Sequence, residues 1–453
     1  MKPGIPKGTR DFTPDEVNKR NFIFDTIQQV FVTYGYQPIE TPTMENLATL
    51  TGKYGEEGDR LLFKVLNNGD FLAKADQEAL EAKDSSRLVS SISRRGLRYD
   101  LTVPFARFVV MHQHEIAFPF KRYQVQPVWR ADRPQKGRYQ EFYQCDVDVV
   151  GSSSLMYEAE LASIYDQAFS RLGVKVVIRI NNRKILAGLA EVAGISDRLV
   201  DMTIALDKLD KIGFDGVAAE MEKRGISAEA FQVISDILKN KELAELKTAL
   251  AESEIGTRGL EEIEEVFSYF SPGQSNNTFL FDPTLARGLD YYTGCIFEVV
   301  ADPEAYPNLR MGSIGGGGRY DDLTSVFGMK NLSGVGVSFG AERIYDVMDE
   351  LALFPEGIDA SLPLLFVAFD ADSHHFAFRC LQEVRAAGIR ADLYPEPLKL
   401  KKQMKYANER GTSYVALIGA EELASGQLSF KNMTTGEQEK LGLQQIIDRL
   451  REA

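Results

Sequence analysis

After Thr13-Pro14-Asp15-Glu16, apolar side chains return at Ile23, Ile27, Val30 and Tyr34, the spacing of one helix face, and Gly35 closes the run. Thr13 with Glu16 three residues on forms a capping box, and Pro14 takes the first helical position, where its missing N–H is no loss. The rhythm then changes. Over residues 97–150, short alternating runs broken by Pro104, Pro119, Pro127 and Pro134 predict antiparallel strands and long functional loops. From 135 to 271 there is no proline, and 183–270 is helical in pattern and acidic in places, which predicts an inserted helical module. Strand-like text resumes at 278–281, a glycine cluster follows at 315–318, then a strand at 335–339 and a helix running into Leu351.

Residues 354–361 read as a linker. Beyond them, strand and helix alternate: strand 364–369, helix 373–387 closed by Gly388, strand 389–394, helix 398–410 closed by Gly411, strand 414–418, a short polar hairpin and a final helix. The helix 398–410 is expected to place Leu400, Met404 and Ala407 on its buried face. This is a small α/β domain, separate from the rest.

Length and composition narrow the class. The 453 residues suggest about three domains, and 44% apolar with 26% charged residues suits a soluble globular chain. No apolar run approaches the ~18 residues of a membrane span, and the N-terminus lacks the apolar stretch of a signal peptide. Cys145, Cys295 and Cys380 are odd in number and far apart, so a disulfide framework is not expected, and the chain reads as cytoplasmic. The net charge of −14 requires that any nucleic-acid contact come from local basic patches.

Several common chemistries lack their motif. There is no Gly-x-x-x-x-Gly-Lys-Ser/Thr loop, and 315–318 does not fit Gly-x-Gly-x-x-Gly. Histidine and cysteine never cluster at metal-ligand spacing, so no protein metal site is expected.

Three constellations do carry chemistry. Between 121 and 138 six basic residues (Lys121, Arg122, Arg130, Arg133, Lys136, Arg138) stand against one acid, Asp132. A strand–loop–strand with arginines on both arms is a phosphate clamp; on local chemistry it reads equally as a solvated hairpin with a charged tip. Around 334–343, small residues at 334, 336, 338 and 340 alternate with Val335, Val337 and Phe339, leaving one strand face as bare backbone. Such a face admits a flat ligand or a closely packed neighbour. The stretch 286–294, Ala-Arg-Gly-Leu-Asp-Tyr-Tyr-Thr-Gly, lines a polar pocket or simply makes a turn.

Taken in order, these elements resemble the class II aminoacyl-tRNA synthetases and, within that class, the histidyl-tRNA synthetase family. Residues 35–42 resemble the class's motif 1, 130–142 its motif 2 and 334–343 its motif 3. Residues 287–292 and 317–321 resemble two peptides of the histidine-specific enzymes, and Lys7-Gly8-Thr9-Arg10-Asp11-Phe12 their N-terminal signature. Two positions depart from the pattern: Asp132 stands where Glu is usual, and Ser338 replaces a motif 3 glycine.

The resemblance implies an α+β catalytic domain on an antiparallel sheet from residues 1–182 and 271–355, the helical module at 183–270, and an anticodon-binding α/β domain at 362–453. It implies ATP-dependent ligation of histidine to its tRNA through histidyl-adenylate, with Mg²⁺ accompanying ATP, and a homodimer. Arg130 would bridge the histidine carboxylate and the α-phosphate, with Arg287 as a second positive charge there. Arg138 and Arg343 would hold the outer phosphates, and Phe142 would stack on adenine. Asp100 and Thr102 would take the ammonium. Gln144 and Asp148, four apart on one strand face, would read the ring nitrogens, with Tyr291, Tyr292 and Tyr320 completing the pocket. Arg133, Gln135 and Lys136 on the motif 2 loop, and Lys401, Lys402 and Lys405 in the C-terminal domain, would contact tRNA. The competing reading is a non-catalytic, synthetase-like regulator of histidine biosynthesis, which would have eroded motifs and no C-terminal domain.

Overall fold

A computed structural model describes residues 2–52, 55–239, 242–271, 273, 275–286, 291–358 and 361–452, with 55–57 as backbone alone. The chain divides into two compact units, Met1–Asp11 with Arg20–Phe354, and Phe12–Lys19 with Pro355–Ala453.

The first unit is built on an eight-stranded sheet: β1 (Gln37–Pro38), β2 (Phe120–Trp129), β3 (Glu141–Val150), β4 (Val176–Asn182), β5 (Thr278–Phe281), β6 (Cys295–Ala301), β7 (Gly315–Tyr320) and β8 (Gly334–Gly340). Their order across the sheet is β1-β2-β3-β8-β7-β6-β4-β5. The interior pairs are antiparallel, as expected, but the two outer pairs, β1 with β2 and β4 with β5, are parallel. The reason is connectivity. A parallel pair needs a long crossover rather than a hairpin, and the helical stretch that follows β4 supplies one. Its helices, Arg183–Val192 through Glu254–Ser268, bury Leu186, Leu189, Leu260 and Ile263 in the same core as the sheet.

Strand alternation gives the sheet two unlike faces. Cys145, Val147, Val337 and Phe339 point to the core, where Phe339 meets the rings of Phe31, Tyr165 and Phe169 at 5.7, 4.6 and 5.5 Å. Those rings come from the helices Pro14–Thr33 and Met156–Arg171. The other face is polar and then bare. The register aligns Arg122 of β2 with Asp148 of β3, Gly336 of β8 and Gly318 of β7. The next row reads Gln124, Asp146, Ser338 and Gly316.

One expectation for this unit is corrected. The stretch read as strands and loops contains a helix, Thr102–Met111. Pro104 sits in its first turn, where the backbone N–H has no intrahelical partner, so proline is tolerated. The glycine cluster forms strand β7, every residue of it buried.

The second unit carries a five-stranded sheet in the order Ala391–Leu393, Leu364–Ala368, Tyr414–Ile418, Gln427–Asn432, Gln438–Gly442. The first three are parallel and the last two antiparallel. A short helix, Ala420–Ser425, precedes the polar hairpin. The helix Leu400–Glu409 turns differently from the expectation: it buries Gln403 and Ala407, while Leu400 is exposed. Gln403 takes the inner position because its amide donates to the carbonyls of Ala368 (2.8 Å) and Leu398 (2.6 Å). At the capping box, Thr13 N donates to Glu16 Oε2 at 2.6 Å. Among the described residues no helix is long and apolar enough to cross a membrane.

Candidate active site

A cavity of about 400 Å³ opens over the polar face of the sheet. It is lined by Asp100, Thr102, Arg130, Arg138, Phe142, Gln144, Tyr291, Tyr292 and Arg343. Beneath it lies a recess of about 20 Å³ lined by Asp146, Asp148 and Tyr320, with Thr102, Tyr291, Tyr292 and Ser338 shared between the two. Arg287, Gly288, Leu289 and Asp290 lie outside the described residues.

Arg130 sits centrally. Its guanidinium lies 4.3 Å from the Tyr99 ring and 5.1 Å from the Phe142 ring, a cation between two π faces. Nε donates to Tyr99 O at 3.1 Å and Nη2 to Gln144 Oε1 at 3.3 Å. These contacts fix the plane of the fork while leaving it at the cavity wall. Arg343 opens the helix Ala341–Glu350 and donates to the carbonyls of Gly137 (2.7 Å) and Ser313 (2.5 Å). Arg138 is half exposed, and its Nη1 stands 3.6 Å from Asp132 Oδ1. Asp100 accepts from Val103 N at 3.1 Å at the start of the helix Thr102–Met111.

The recess is charged in the opposite sense. Arg122, fully buried, places Nη2 2.8 Å from Asp148 Oδ2 and its guanidinium 4.1 Å from the Phe105 ring. Tyr320 donates its hydroxyl to the other oxygen, Asp148 Oδ1, at 2.7 Å. Each carboxylate oxygen keeps a second lone-pair site for a ligand. Asp146 stands in the next row of the sheet, with Gln144 Nε2 3.4 Å from its Oδ1. One guanidinium thus faces two buried carboxyls. Burial pushes Asp146 up to about 7, opposed by Arg122 and reinforced by Asp148. Asp148 is raised for the same first cause, with Arg122 and Tyr320 opposing. Burial also drives Tyr320 well above the ordinary phenol.

The bare face of β8 proves necessary here. A Cβ on Gly336 would stand 1.9 Å from Asp148 Oδ1, so only glycine lets that carboxylate lie across the strand.

Reasoning from sequence missed several residues at the site. Asp146 carries the same two-residue periodicity as Gln144 and Asp148, so its signal was present. Glu342 lines the cavity and is clamped by Arg10 and by Arg20 Nη1 at 2.5 Å, partners more than 300 positions away. Tyr139 lines the cavity too and bonds Asp346 through its hydroxyl at 3.1 Å. Of the residues expected on tRNA, Arg133, Gln135 and Lys136 are exposed on the loop, Lys136 pairing with Glu350 at 2.5 Å. Lys401, Lys402 and Lys405 belong to the second unit, where they line an open groove with Leu398, Lys399, Met404 and Asn408. All three cysteines are buried, and burial raises each thiol, to about 11 for Cys380, which leaves them protonated and poor nucleophiles. Among the described residues no group of three or more His, Cys, Asp or Glu side chains is placed to hold a metal ion.

Comparison with known proteins places this cavity in context. A family model described as histidyl-tRNA synthetase matches residues 66–344, well over half of the chain. The chain belongs to the histidyl-tRNA synthetase family. Within that family it is 56% identical over 448 residues to a histidine–tRNA ligase of Christiangramia forsetii, with 97% of each chain covered. A histidine–tRNA ligase of Bacteroides fragilis is 53% identical, covering 99% of each. A crystal structure of histidyl-tRNA synthetase from Nostoc sp. superposes with a TM-score of 0.81 at 29% identity, covering 100% of this chain and 99% of that one. Residues 364–453 match an anticodon binding domain. For a histidyl-tRNA synthetase the two parts of the cavity take on meaning: a flat, arginine-lined ledge above a small acidic recess.

Proposed function

We propose that the cavity joins histidine to ATP, releasing diphosphate, and then passes the histidyl group to the 3′ end of tRNA, releasing AMP. The observation that carries this reading is the position of Arg130. It stands between the arginine-lined loop and the acidic recess, held by Tyr99, Phe142 and Gln144. There it neutralises both the attacking carboxylate of histidine and the α-phosphate, so that charge growing in the transition state meets a fork already in place.

The same reading assigns the remaining roles. Arg343 and Arg138 take the outer phosphates and Phe142 stacks on adenine. Asp100 and Thr102 receive the ammonium. The imidazole lies over the mouth of the recess, where Gln144 and Asp148 read its two nitrogens and Tyr291 and Tyr292 wall it. Tyr320 acts one step back, by orienting Asp148. Arg287, outside the described residues, is assigned a second positive charge at the α-phosphate on the family resemblance alone. Mg²⁺ arrives with ATP as part of the substrate. Arg133, Gln135 and Lys136 meet the acceptor end of tRNA, and Lys401, Lys402 and Lys405 meet its anticodon arm. We take the chain to work as a cytoplasmic homodimer. The regulator reading calls for eroded motifs and a missing C-terminal domain; Arg130 and Arg343 are present, and so is the domain at 364–453. The test is pyrophosphate exchange with each of the twenty amino acids. Exchange with histidine alone supports the assignment, and exchange with another amino acid, or none, overturns it.

A further inference from the structure

The N-terminal segment lies directly on the loop that carries Arg138. Gly8 O accepts a hydrogen bond from Gln140 N at 2.8 Å. Gly8 itself has φ +85°, and a Cβ there would meet Gln140 Cγ at 2.6 Å and Pro134 Cγ at 2.9 Å. This close approach needs glycine on both counts. Two residues on, the Arg10 guanidinium stacks 3.5 Å from the centre of the Tyr139 ring and pairs with Glu342. Arg20 Nη1 reaches the same carboxylate at 2.5 and 2.6 Å.

Glu342 is the first of three acids, with Asp346 and Glu350, spaced four apart along one stripe of the helix Ala341–Glu350. Each takes a partner from the loop or the N-terminal segment: Arg10 and Arg20 on Glu342, the Tyr139 hydroxyl on Asp346, Lys136 on Glu350. The exposed Lys136 pair is worth little. Glu342 is buried, so its charge-assisted bonds carry most of the anchoring. Arg343, the next residue, donates back to Gly137 O in the same loop. Loop, stripe and N-terminal segment therefore hold one another, and Arg10 touches both the loop ring and the stripe.

We infer that Arg10 is a positioning residue for the nucleotide: it holds the loop in the form that presents Arg138 and Arg343 to the phosphates. The inference rests on the reading of the cavity as the ATP and histidine site.

The experiment uses the full chain and two measurements, ATP affinity by calorimetry without histidine, and pyrophosphate exchange kinetics. Losing one charge-assisted contact weakens binding roughly 10- to 100-fold. Arg10→Ala should therefore raise the ATP Kd and KM at least about tenfold and leave the histidine KM within about twofold. Arg10→Lys keeps the charge but not the planar stack, so it should fall between the two. It also serves as the readout should Arg10→Ala fail to fold. An unchanged ATP Kd in both variants overturns the inference, as does an equal rise in both substrates' KM. If the unaltered chain binds ATP yet exchanges with no amino acid, the reading of the recess fails, while the ATP Kd of the variants still decides the role of Arg10.

Discussion

The two ends of the cavity are built from the same side chains in opposite proportion. At the loop end, Arg10 and Arg20 converge on the single carboxylate of Glu342, with Arg343 and Arg138 beside them. In the recess, the single guanidinium of Arg122 faces Asp146 and Asp148. Distances at the two ends are alike, near 2.5–2.8 Å, so geometry does not separate them. The count of charges does. The loop end lines the cavity with Arg130, Arg138 and Arg343 and suits a polyphosphate; the recess sets two carboxyls against one guanidinium and suits a ring that brings a proton or an N–H.

The largest effect should come from the residue between the ends. Arg130→Ala should remove ~2–4 kcal/mol of transition-state stabilisation, seen as a roughly 30- to 1,000-fold drop in the turnover of exchange. A variant that loses only ATP or only histidine affinity, with normal turnover, would assign Arg130 to one end.

Next, Gly336→Ala should break the recess alone. The added Cβ, 1.9 Å from Asp148 Oδ1, has to displace that carboxylate. The histidine KM should rise by about tenfold or more, the worth of one buried charged hydrogen bond, while the ATP KM stays nearly unchanged. Asp148→Asn should act in the same direction. Equal loss of both substrates would make the site a packing position and erase the distinction between the ends.

A smaller effect tests the spare carboxyl. With Asp146 held up to about 7 by burial, and an unfolded carboxyl near ~3.9, the folded chain keeps a proton that the unfolded chain loses. The stability this lends is full below about pH 4, falls as pH climbs toward 7, and is flat beyond. Asp146→Asn carries no such ionisation. Its melting temperature should gain on the parent by a few degrees between about pH 5 and about pH 8. A gap that does not change with pH leaves Asp146 outside the charge balance.

The smallest effect lies outside the cavity and serves as its control. Neutralising Lys401 and Lys402 together should flatten the log–log salt dependence of tRNA binding by about one to two units. Pyrophosphate exchange should not change. If exchange falls as well, the lysines of the second unit act on the chemistry and not on tRNA alone.

Much of this was legible from residue order, for identifiable reasons. The periodicity of Ile23, Ile27 and Val30 predicts a buried helix face, and all three are buried in the helix Pro14–Thr33. Alternation over 364–418 predicts a small α/β unit because each element completes its own hydrophobic pattern locally. Asp146 was readable in principle, since strand period alone places it between Gln144 and Asp148. Strand β7 was not, because four consecutive glycines carry no side-chain pattern; their strand form comes from β6 and β8 on either side. Nor was the burial of Gln403, which depends on carbonyls of Ala368 and Leu398 that happen to converge there. The clamp on Glu342 was equally hidden, because nothing near residue 342 signals partners at 10 and 20.

Arg98 shows what such distant convergence implies for assembly. Its side chain is wholly buried, and burial lowers it to about 10. Nε donates to Pro127 O at 2.8 Å, and Nη1 to Thr41 O at 2.6 Å and Gln126 Oε1 at 3.0 Å. Three stretches of chain, around 41, 98 and 127, must arrive before this cation has its acceptors. Until then its burial is opposed by the cost of stripping water from an unpaired charge. The last of them to dock therefore closes the site in one step, and loosening any one releases the others. Hydrogen exchange should show it: the amides of Arg98, Thr41 and Trp129, bonded to Thr43 O, Gln126 Oε1 and Arg98 O, should open as one cooperative unit.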